Sequence, residues 1–190
     1  MSTVAVTSGL GALPSRFRRE RLLIVGYGDV GQRLARSLVA GPGAQRLRVL
    51  ALTSQAERVG SLRAQGVTPL VGNLDHAATL RRLSGLATRV VHLAPPPGEG
   101  GGGAAWWRDP RTVALARALR LRSLPVSLVY ASTSGVYGDC AGARVPETRT
   151  VAPGTPRAQR RVNAERAVRH LGRAGVRASI LRIPGIYAPD

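Results

Sequence analysis

Six short apolar runs alternate with stretches of helical periodicity along the chain. The runs that predict buried strands are RLLIVG (21–26), LRVLALT (47–53), VTPLVG (67–72), TRVVHLA (88–94), VSLVYAS (126–132) and RASILRI (177–183). After the first run, Val30, Leu34 and Leu38 recur at i, i+4 and i+8, which indicates an amphipathic helix. Strands that alternate with helices are typical of a parallel sheet with helices on both faces. The pattern therefore predicts an α/β fold built on a doubly wound parallel sheet of about six strands.

The stretch TPRAQRRVNAER (155–166) predicts a helix with one face crowded by arginine. Thr155 suits the N-cap and Pro156 suits the first helical position. Apolar side chains follow at helical spacing, at Ala164, Ala167, Val168 and Leu171. The arginine face leaves three alternatives open: a nucleic-acid-binding helix, the remnant of a catalytic helix, or a solvated surface.

Two connecting regions and the N-terminus carry less regular patterns. Trp106 and Trp107 introduce a helix expected to run to about Arg122, and packing of one or both rings on the sheet is favoured over stacking on bases. PPPGEGGGG (95–103) predicts a mobile loop. The N-terminal stretch lacks the charge and apolar run of a secretory signal, so we expect a flexible leader at 1–20 and one domain at 21–190.

Composition limits the possible partners. The chain has 190 residues, 44% of them hydrophobic, which is enough for a single core. The formal charge of +18 keeps nucleic acid as a possible partner, but all 28 basic residues are arginine and they are spread along the chain. This distribution favours a codon-composition bias, so no specific nucleic acid is expected. A lone Cys140 fits a cytoplasmic protein, and no apolar run approaches the ~18 residues of a membrane span.

The glycine-rich stretch GYGDVG (26–31) carries the strongest chemical signal. It follows an apolar strand and opens a helix, the context in which G-x-G-x-x-G predicts a dinucleotide-binding Rossmann fold. Gly26 allows the tight turn, Gly28 lets the backbone approach a pyrophosphate, and Gly31 permits close packing of strand and helix. The helix N-terminus at Asp29 and Val30 then offers amide donors and a positive dipole.

The end of the second predicted strand bears on the choice between two cofactors. An NAD site usually places Asp or Glu there, whereas this chain has Thr53, Ser54 and Gln55. Hydroxyl groups and the nearby Arg58 suit a 2′-phosphate. The sequence therefore favours NADP(H) over NAD(H), with a solvated helix residue as the alternative interpretation of Arg58.

Several motifs occur in the order of a known family. They are the glycine turn, VGNLD (71–75), VVHLAPP, VYASTSGVYGD (129–139) and LRIPGIYAP (181–189). Together they resemble the extended short-chain dehydrogenases/reductases, and within them the NAD-dependent epimerase/dehydratase group. The resemblance implies that Asn73 and Leu74 lie near the adenine and that Thr133 is the counterpart of the catalytic Ser/Thr. It also implies further cofactor contacts at His92, Leu93, Ala94, Pro95, Thr133 and Pro184.

The resemblance also exposes a departure from the family. The active site of the family needs Tyr-x-x-x-Lys, and counting back from Glu165 puts Arg157 at the tyrosine and Arg161 at the lysine. The chain contains no lysine at all. Arginine stays protonated and offers no exchangeable proton near neutral pH, so the active site is expected to be degenerate.

Three functions remain open. The first is an NAD(P)-dependent oxidoreductase or epimerase/dehydratase-like enzyme with an unknown small-molecule substrate, in which Thr133, His92 or a substrate group handles the proton. The alternative is a non-catalytic NADP(H)-binding sensor or regulatory protein. A nucleic-acid binder is less favoured. No metal site is expected, and a C-terminal substrate region is expected to be absent or missing beyond the sixth strand.

Overall fold

A single parallel sheet forms the centre of the protein. The computed structural model describes residues 20–98 and 105–187. Its six strands are β1 (Glu20–Val25), β2 (Leu47–Thr53), β3 (Thr68–Val71), β4 (Arg89–His92), β5 (Ser127–Thr133) and β6 (Arg177–Ile183). Their order in the sheet is β3-β2-β1-β4-β5-β6, and every pairing is parallel. The predicted α/β fold with a doubly wound sheet is confirmed.

Helices connect the strands. They are α1 (Asp29–Ala40), α2 (Val59–Ala64), α3 (Ala77–Leu80), α4 (Pro110–Leu119) and α5 (Pro156–Arg173). Short 3₁₀ helices lie at Ala44–Arg46, Ala56–Arg58, Arg81–Leu83 and Ser134–Tyr137. The arginine-rich stretch forms α5 as predicted, with Thr155 as its N-cap, accepting from the Ala158 amide at 3.2 Å, and Pro156 at its first position.

Two hydrophobic clusters cover the two faces of the sheet. On one face α1 and α2 bury Ala35 and Leu62 against β1 and β2. On the other face α3, α4 and α5 bury a larger cluster against β4 and β5, with Leu115 and Leu171 each 1% exposed. Helices therefore cover both faces of the sheet around β1, β2 and β4, whereas β6 stays exposed at alternate residues, with Leu181 52% exposed.

The strand order places a crevice between β1 and β4. From β1 the chain winds outward to β2 and β3, whereas β4, β5 and β6 extend in the opposite direction. The connections after β1 and β4 therefore leave opposite faces of the sheet and separate at its carboxyl edge. Such a switch point is where open α/β sheets bind their ligands.

Two expectations about the connecting regions need correction. The helix after the tryptophans begins only at Pro110, because the Asp109 side chain caps it by accepting from the amides of Arg111 and Thr112. It ends at Leu119, before Arg122. Trp106 is 41% exposed, so it does not pack on the sheet, and Trp107 is half-buried beside the Arg108 guanidinium, 5.1 Å from its ring.

The expected leader is almost entirely outside the residues that the structure describes. Glu20, expected in the leader, is the first residue of β1, and the rest of the expected leader lies outside the described residues, as does the 99–103 part of the expected mobile loop. Among the described helices, none is both long and apolar enough to cross a membrane.

A buried carboxylate joins α5 to the sheet. Glu165 is fully buried and accepts from Ser132 Oγ of β5 at 2.7 Å. Arg182 of β6 donates to the same carboxylate from Nε at 3.1 Å and from Nη2 at 2.8 Å, and Arg169 donates to it from Nη2 at 3.1 Å. Burial alone would raise the pKa of Glu165, but the hydrogen bonds from Arg182 and Ser132 outweigh it and lower the pKa below 4.5.

This network predicts an acid-sensitive fold. Because the pKa of Glu165 is lower in the folded chain, its contribution is present above about pH 4.5 and is lost as the pH falls through the folded-state value. Glu165→Gln should lower the free energy of unfolding at pH 7 by about 3 kcal/mol, since Arg182 would remain without its partner. The loss should shrink on acidification. Denaturant titrations between pH 7 and pH 3 measure it, and exposed Glu57→Gln is the control; equal effects of both variants would contradict the role.

Candidate functional site

A cleft of about 590 Å³ lies at the carboxyl edge of the sheet, beside the crevice between β1 and β4. Most of the residues predicted as a cofactor site line it. They are Gly26, Gly28, Asp29, Val30, Gly31, Thr53, Ser54, Arg58, Asn73, Leu74, Leu93, Ala94 and Pro95. The fold thus brings together segments that are up to about seventy residues apart in the sequence.

Each glycine of the β1–α1 turn has its own structural reason. Gly26 has a φ of +94°, and a Cβ atom there would overlap the Ala94 backbone nitrogen. A Cβ at Gly31 would lie 2.7 Å from the Gly26 carbonyl oxygen, so only glycine allows α1 to approach β1 this closely. A Cβ at Gly28 would meet nothing within 4 Å. Gly28 therefore borders open space rather than protein.

The N-terminus of α1 points its free donors at that space. Gly28 is the N-cap and no side chain in the described part of the protein caps the helix, while the Gln32 amide begins the helical bonding by donating to the Gly28 oxygen at 2.9 Å. The first-turn amides of Asp29, Val30 and Gly31 therefore have no side-chain cap among the residues that the structure describes, and they carry the positive end of the helix dipole. The Asp29 carboxylate pairs instead with Arg33 at 3.0 Å.

The wall after β2 contains hydroxyl groups and a guanidinium group. Thr53 is buried, and its Oγ1 accepts from the Gln55 amide at 3.2 Å, whereas Ser54 is exposed. Arg58 donates from Nη2 to the Tyr27 carbonyl at 3.2 Å, with its guanidinium carbon 6.0 Å from the centre of the Tyr27 ring. This contact holds Arg58 beside the cleft, so it is not a freely solvated helix residue.

An ion pair that sequence reasoning missed closes one side of the cleft. Arg111 donates to both carboxylate oxygens of Asp75, from Nε at 2.7 Å and from Nη2 at 2.6 Å, and reaches the Pro95 carbonyl at 3.4 Å. The hydrogen bonds from Arg111 lower the pKa of Asp75. The pair links the loops that follow β3 and β4. Asp75 and Arg111 are 36 residues apart, so no local pattern could have identified the pair.

His92 is not brought to the cleft wall. It is 1% exposed at the end of β4, and its Nε2 lies 2.9 Å from Thr112 Oγ1. Since the Thr112 hydroxyl donates to Asp109 at 2.6 Å, we assign Nε2 as the donor to Thr112. Burial, together with the charge of Arg161, lowers the pKa of His92 to about 3, so the ring is neutral at pH 7.

Thr133 and Pro184 also lie apart from the cleft wall. Thr133 is the last residue of β5, where its Oγ1 accepts from the Gly135 amide at 3.2 Å and caps the following 3₁₀ helix. Pro184 follows β6, is exposed, and lines a different pocket with Tyr137 and Arg182. The structure therefore does not place these two residues in contact with the glycine turn.

Arg157 and Arg161, expected at the tyrosine and lysine positions from the resemblance, have different environments. Arg157 is exposed, but Arg161 is only 7% exposed, so the interpretation of a simple solvated face is wrong for Arg161. Its Nη1 donates to the Ala131 carbonyl at 2.6 Å and to Tyr130 Oη at 3.0 Å. Burial raises the pKa of Tyr130 to about 12, despite the opposing charge of Arg161. Tyr130 is therefore not an activated phenol.

The part of the chain that the structure describes holds no group of three or more His, Cys, Asp and Glu side chains suited to a metal ion. The polar groups that line the cleft include backbone amides, hydroxyl groups and guanidinium groups. These groups bind anions and polar oxygens.

Solved structures with the same fold include two sugar-nucleotide enzymes. UDP-glucuronic acid 4-epimerase from Bacillus cereus, in complex with NAD, is 21% identical, with a TM-score of 0.70, over 89% of this chain and 57% of that one. dTDP-glucose 4,6-dehydratase from Streptomyces venezuelae, with NAD and TYD bound, is 23% identical, with a TM-score of 0.69, over 85% and 55%. A functionally unknown conserved protein from Silicibacter pomeroyi DSS is 26% identical, with a TM-score of 0.66, over 90% and 55%.

The chain spans about half the length of each of these proteins. Among proteins with curated descriptions, none matches it. The model of the NAD dependent epimerase/dehydratase family matches residues 22–190, which is most of the sequence. With the parallel six-stranded sheet and the glycine turn at its switch point, this match shows that the chain belongs to the NAD dependent epimerase/dehydratase family.

Proposed function

We propose that this protein binds a nicotinamide dinucleotide in the cleft, with the pyrophosphate on the N-terminus of α1. The open space at Gly28, faced by uncapped first-turn amides, is the observation that carries the proposal. A side chain at this position would fill the space, whereas glycine leaves room for phosphate oxygens to reach the backbone. Two of the compared enzymes hold NAD, which supports the same class of ligand here.

The remaining cleft residues suit the rest of such a ligand. We assign Asn73 and Leu74 to the adenine, Thr53 and Ser54 to the adenosine ribose, and the segment Leu93–Pro95 to the surface beneath the cofactor. Their common position on one cleft wall with the glycine turn supports this assignment. His92 precedes this segment in the chain, and its buried ring is hydrogen-bonded to Thr112 rather than exposed at the cleft.

We further propose that the cofactor is NADP(H) rather than NAD(H). The support is local: β2 ends in Thr53 with Ser54 and Gln55 following, and Arg58 is held beside the cleft by the Tyr27 carbonyl. A carboxylate at the end of β2 would repel a 2′-phosphate, whereas a guanidinium group pairs with it. The compared enzymes that hold NAD indicate the dinucleotide class and not this preference.

The activity that best fits the family is that of an NAD(P)-dependent oxidoreductase or epimerase/dehydratase-like enzyme with a degenerate active site, acting on a small molecule. A bound nicotinamide would supply hydride transfer. In this chain the Thr133 Oγ1 accepts from the Gly135 amide, which leaves its hydroxyl proton to hold a substrate oxygen. Orientation of that oxygen is the contribution we assign to Thr133; proton transfer to a carbonyl would have to come from another group.

The second candidate is a non-catalytic NADP(H)-binding sensor, favoured by the state of the buried titratable groups. His92 is neutral with a pKa of about 3, Tyr130 keeps its proton with a pKa of about 12, and Arg161 stays charged. None of these three exchanges a proton near neutral pH. For either candidate we keep the cytoplasm as the expected compartment, supported by the free Cys140, and no specific nucleic acid as a partner.

We expect Gly28→Val to abolish dinucleotide binding while leaving the fold intact. The new side chain would enter open space in the apoprotein but occupy the position of the pyrophosphate. Gly31→Ala is the matched contrast, because its Cβ would press on the Gly26 oxygen and should lower the free energy of unfolding by about 1–3 kcal/mol. Fluorescence titration and circular dichroism separate the two effects. Unchanged affinity in Gly28→Val would show that the turn is only structural.

NADPH should bind more tightly than NADH. Arg58→Ala should lower the affinity for NADPH by about tenfold or more, since it removes a charged hydrogen bond. NADH affinity should change little. Exposed Arg63→Ala, on the neighbouring helix α2, controls for the general loss of positive charge. Tighter binding of NADH, or equal effects of Arg58→Ala on both cofactors, would refute the assignment of Arg58.

The chain should show no ordinary carbonyl reductase or sugar epimerase turnover. A positioned proton donor contributes typically 10²–10⁴-fold, and the arginines at 157 and 161 cannot act as one. NADPH oxidation is followed across a panel of carbonyl compounds for the natural chain and for Arg157→Tyr with Arg161→Lys. We expect a gain only in the double variant. Robust turnover by the natural chain would mean that another group supplies the proton.

A further inference from the structure

Two neighbouring arginines on α5 are buried without a counter-ion among residues 20–98 and 105–187. Arg160 is 5% exposed and Arg161 is 7% exposed. Among the arginines that the structure describes, these two are the buried ones. Within the described residues neither forms a salt bridge, although five other arginines do; these are Arg33, Arg89, Arg111, Arg169 and Arg182. Arginine is not deprotonated in proteins, so a buried guanidinium group keeps its positive charge. Two such charges side by side are costly without an anion.

The two buried carboxylates among the described residues are already used. Glu165, one turn further along α5, is shared by Arg182, Arg169 and Ser132. Asp109 accepts from the Thr112 hydroxyl and from the amides that it caps. Neither carboxylate neutralises Arg160 or Arg161.

The hydrogen bonds of the two arginines are also incomplete. Arg161 donates only to neutral acceptors, the Ala131 carbonyl and Tyr130 Oη. Arg160 reaches the Gly98 carbonyl at 3.4 Å. The Nε of each is buried with no hydrogen-bond partner among the described residues. A buried donor without an acceptor is uncommon in folded proteins, and here two such donors belong to adjacent charged side chains.

The location of the pair fits a ligand. Arg160 contacts the loop that follows β4, at Gly98, and Arg161 contacts β5 two residues before Thr133. The pair therefore lies between the carboxyl ends of β4 and β5, on the α5 side. The glycine turn, which presents its donors at the N-terminus of α1, belongs to the opposite face of the sheet.

We propose that Arg160 and Arg161 form an anion-binding subsite that takes a carboxylate or phosphate group of the substrate. Both ligand types present oxygen pairs that a guanidinium group binds with two parallel hydrogen bonds. The anion would supply the acceptor that each Nε lacks and the charge that the core lacks. Assigning this anion to a substrate rests on the proposed function; the binding of the anion itself does not.

The test uses inorganic phosphate and acetate as probes. To remove phosphate binding at the helix N-terminus, all proteins carry Gly28→Val in the full 190-residue chain. Melting temperature and calorimetric titration are measured against sodium chloride at equal ionic strength. We expect a saturable rise in melting temperature with at least one probe. Preference for phosphate points to a phosphorylated substrate, and preference for acetate points to a carboxylate. No saturable effect of either probe would overturn the proposal.

Variants of Arg161 locate the effect. Arg161→Met should lower the affinity for whichever probe anion binds by about 30-fold or more, because it removes a buried charged partner. Arg161→Gln keeps an amide donor for the Ala131 carbonyl, so it serves if the Met variant fails to fold, with the same expected loss. Arg166→Met, at an exposed position of α5, should change nothing. Equal anion binding in the Arg161 variants and the parent would overturn the assignment.

Two further arms keep the explanations apart. Glu99 follows Gly98, whose carbonyl Arg160 contacts, so it is tested as an alternative counter-ion within the chain. Glu99→Gln should leave the affinity for the anion unchanged. A gain of anion binding in this variant would identify Glu99 as the counter-ion and overturn the proposal. NADPH titration of the chain with the natural Gly28 tests the proposed function separately. Anion binding without NADPH binding would support the subsite and refute the cofactor cleft. NADPH binding without anion binding would support the cofactor cleft and refute the subsite.

Discussion

The close contact between the β1–α1 turn and the loop after β4 is the constraint on which the candidate site depends. The Val25 carbonyl accepts from the Leu93 and Ala94 amides at 2.7 and 3.1 Å, which draws the two loops together. Only glycine fits at position 26 under this contact, with its φ of +94°. The contact fixes where α1 starts, and therefore where its free amides point. The close contact between these two backbone segments therefore determines which end of the cleft presents donors to an anion.

Buried charge is handled in two different ways on the α5 side of the sheet. Arg182 and Glu165 compensate each other with paired hydrogen bonds, so their burial joins α5 to β6. Arg161 has a carbonyl and a phenol as acceptors, which satisfy donors but not charge. Since an unpaired buried charge costs several kcal/mol, the first arrangement suits stability and the second suits a ligand. The same helix thus carries a structural pair and a candidate binding pair.

The sheet and the glycine turn could be predicted from sequence because their signals are local. Apolar runs mark the strands, and Thr155 with Pro156 marks the start of α5. Features that depend on distant partners could not be predicted: an arginine-rich helix does not reveal that Arg161 turns inward to β5, and Asp75 gives no sign of Arg111. Trp106 shows the opposite error, since a large apolar ring suggests burial but stands before the Asp109 cap, outside α4.

Hydrogen–deuterium exchange of the full chain with and without NADPH tests the central claim most directly, because it reports each segment of the cleft separately. The account predicts slower exchange at 26–32, at 53–58 and at 72–75, where the cleft wall is formed, with little change in the distant amino ends of the strands. The amides of the first turn of α1 should show the largest protection. Protection confined to other parts of the chain, or none at saturating NADPH, would contradict the assignment of the cleft as a dinucleotide site.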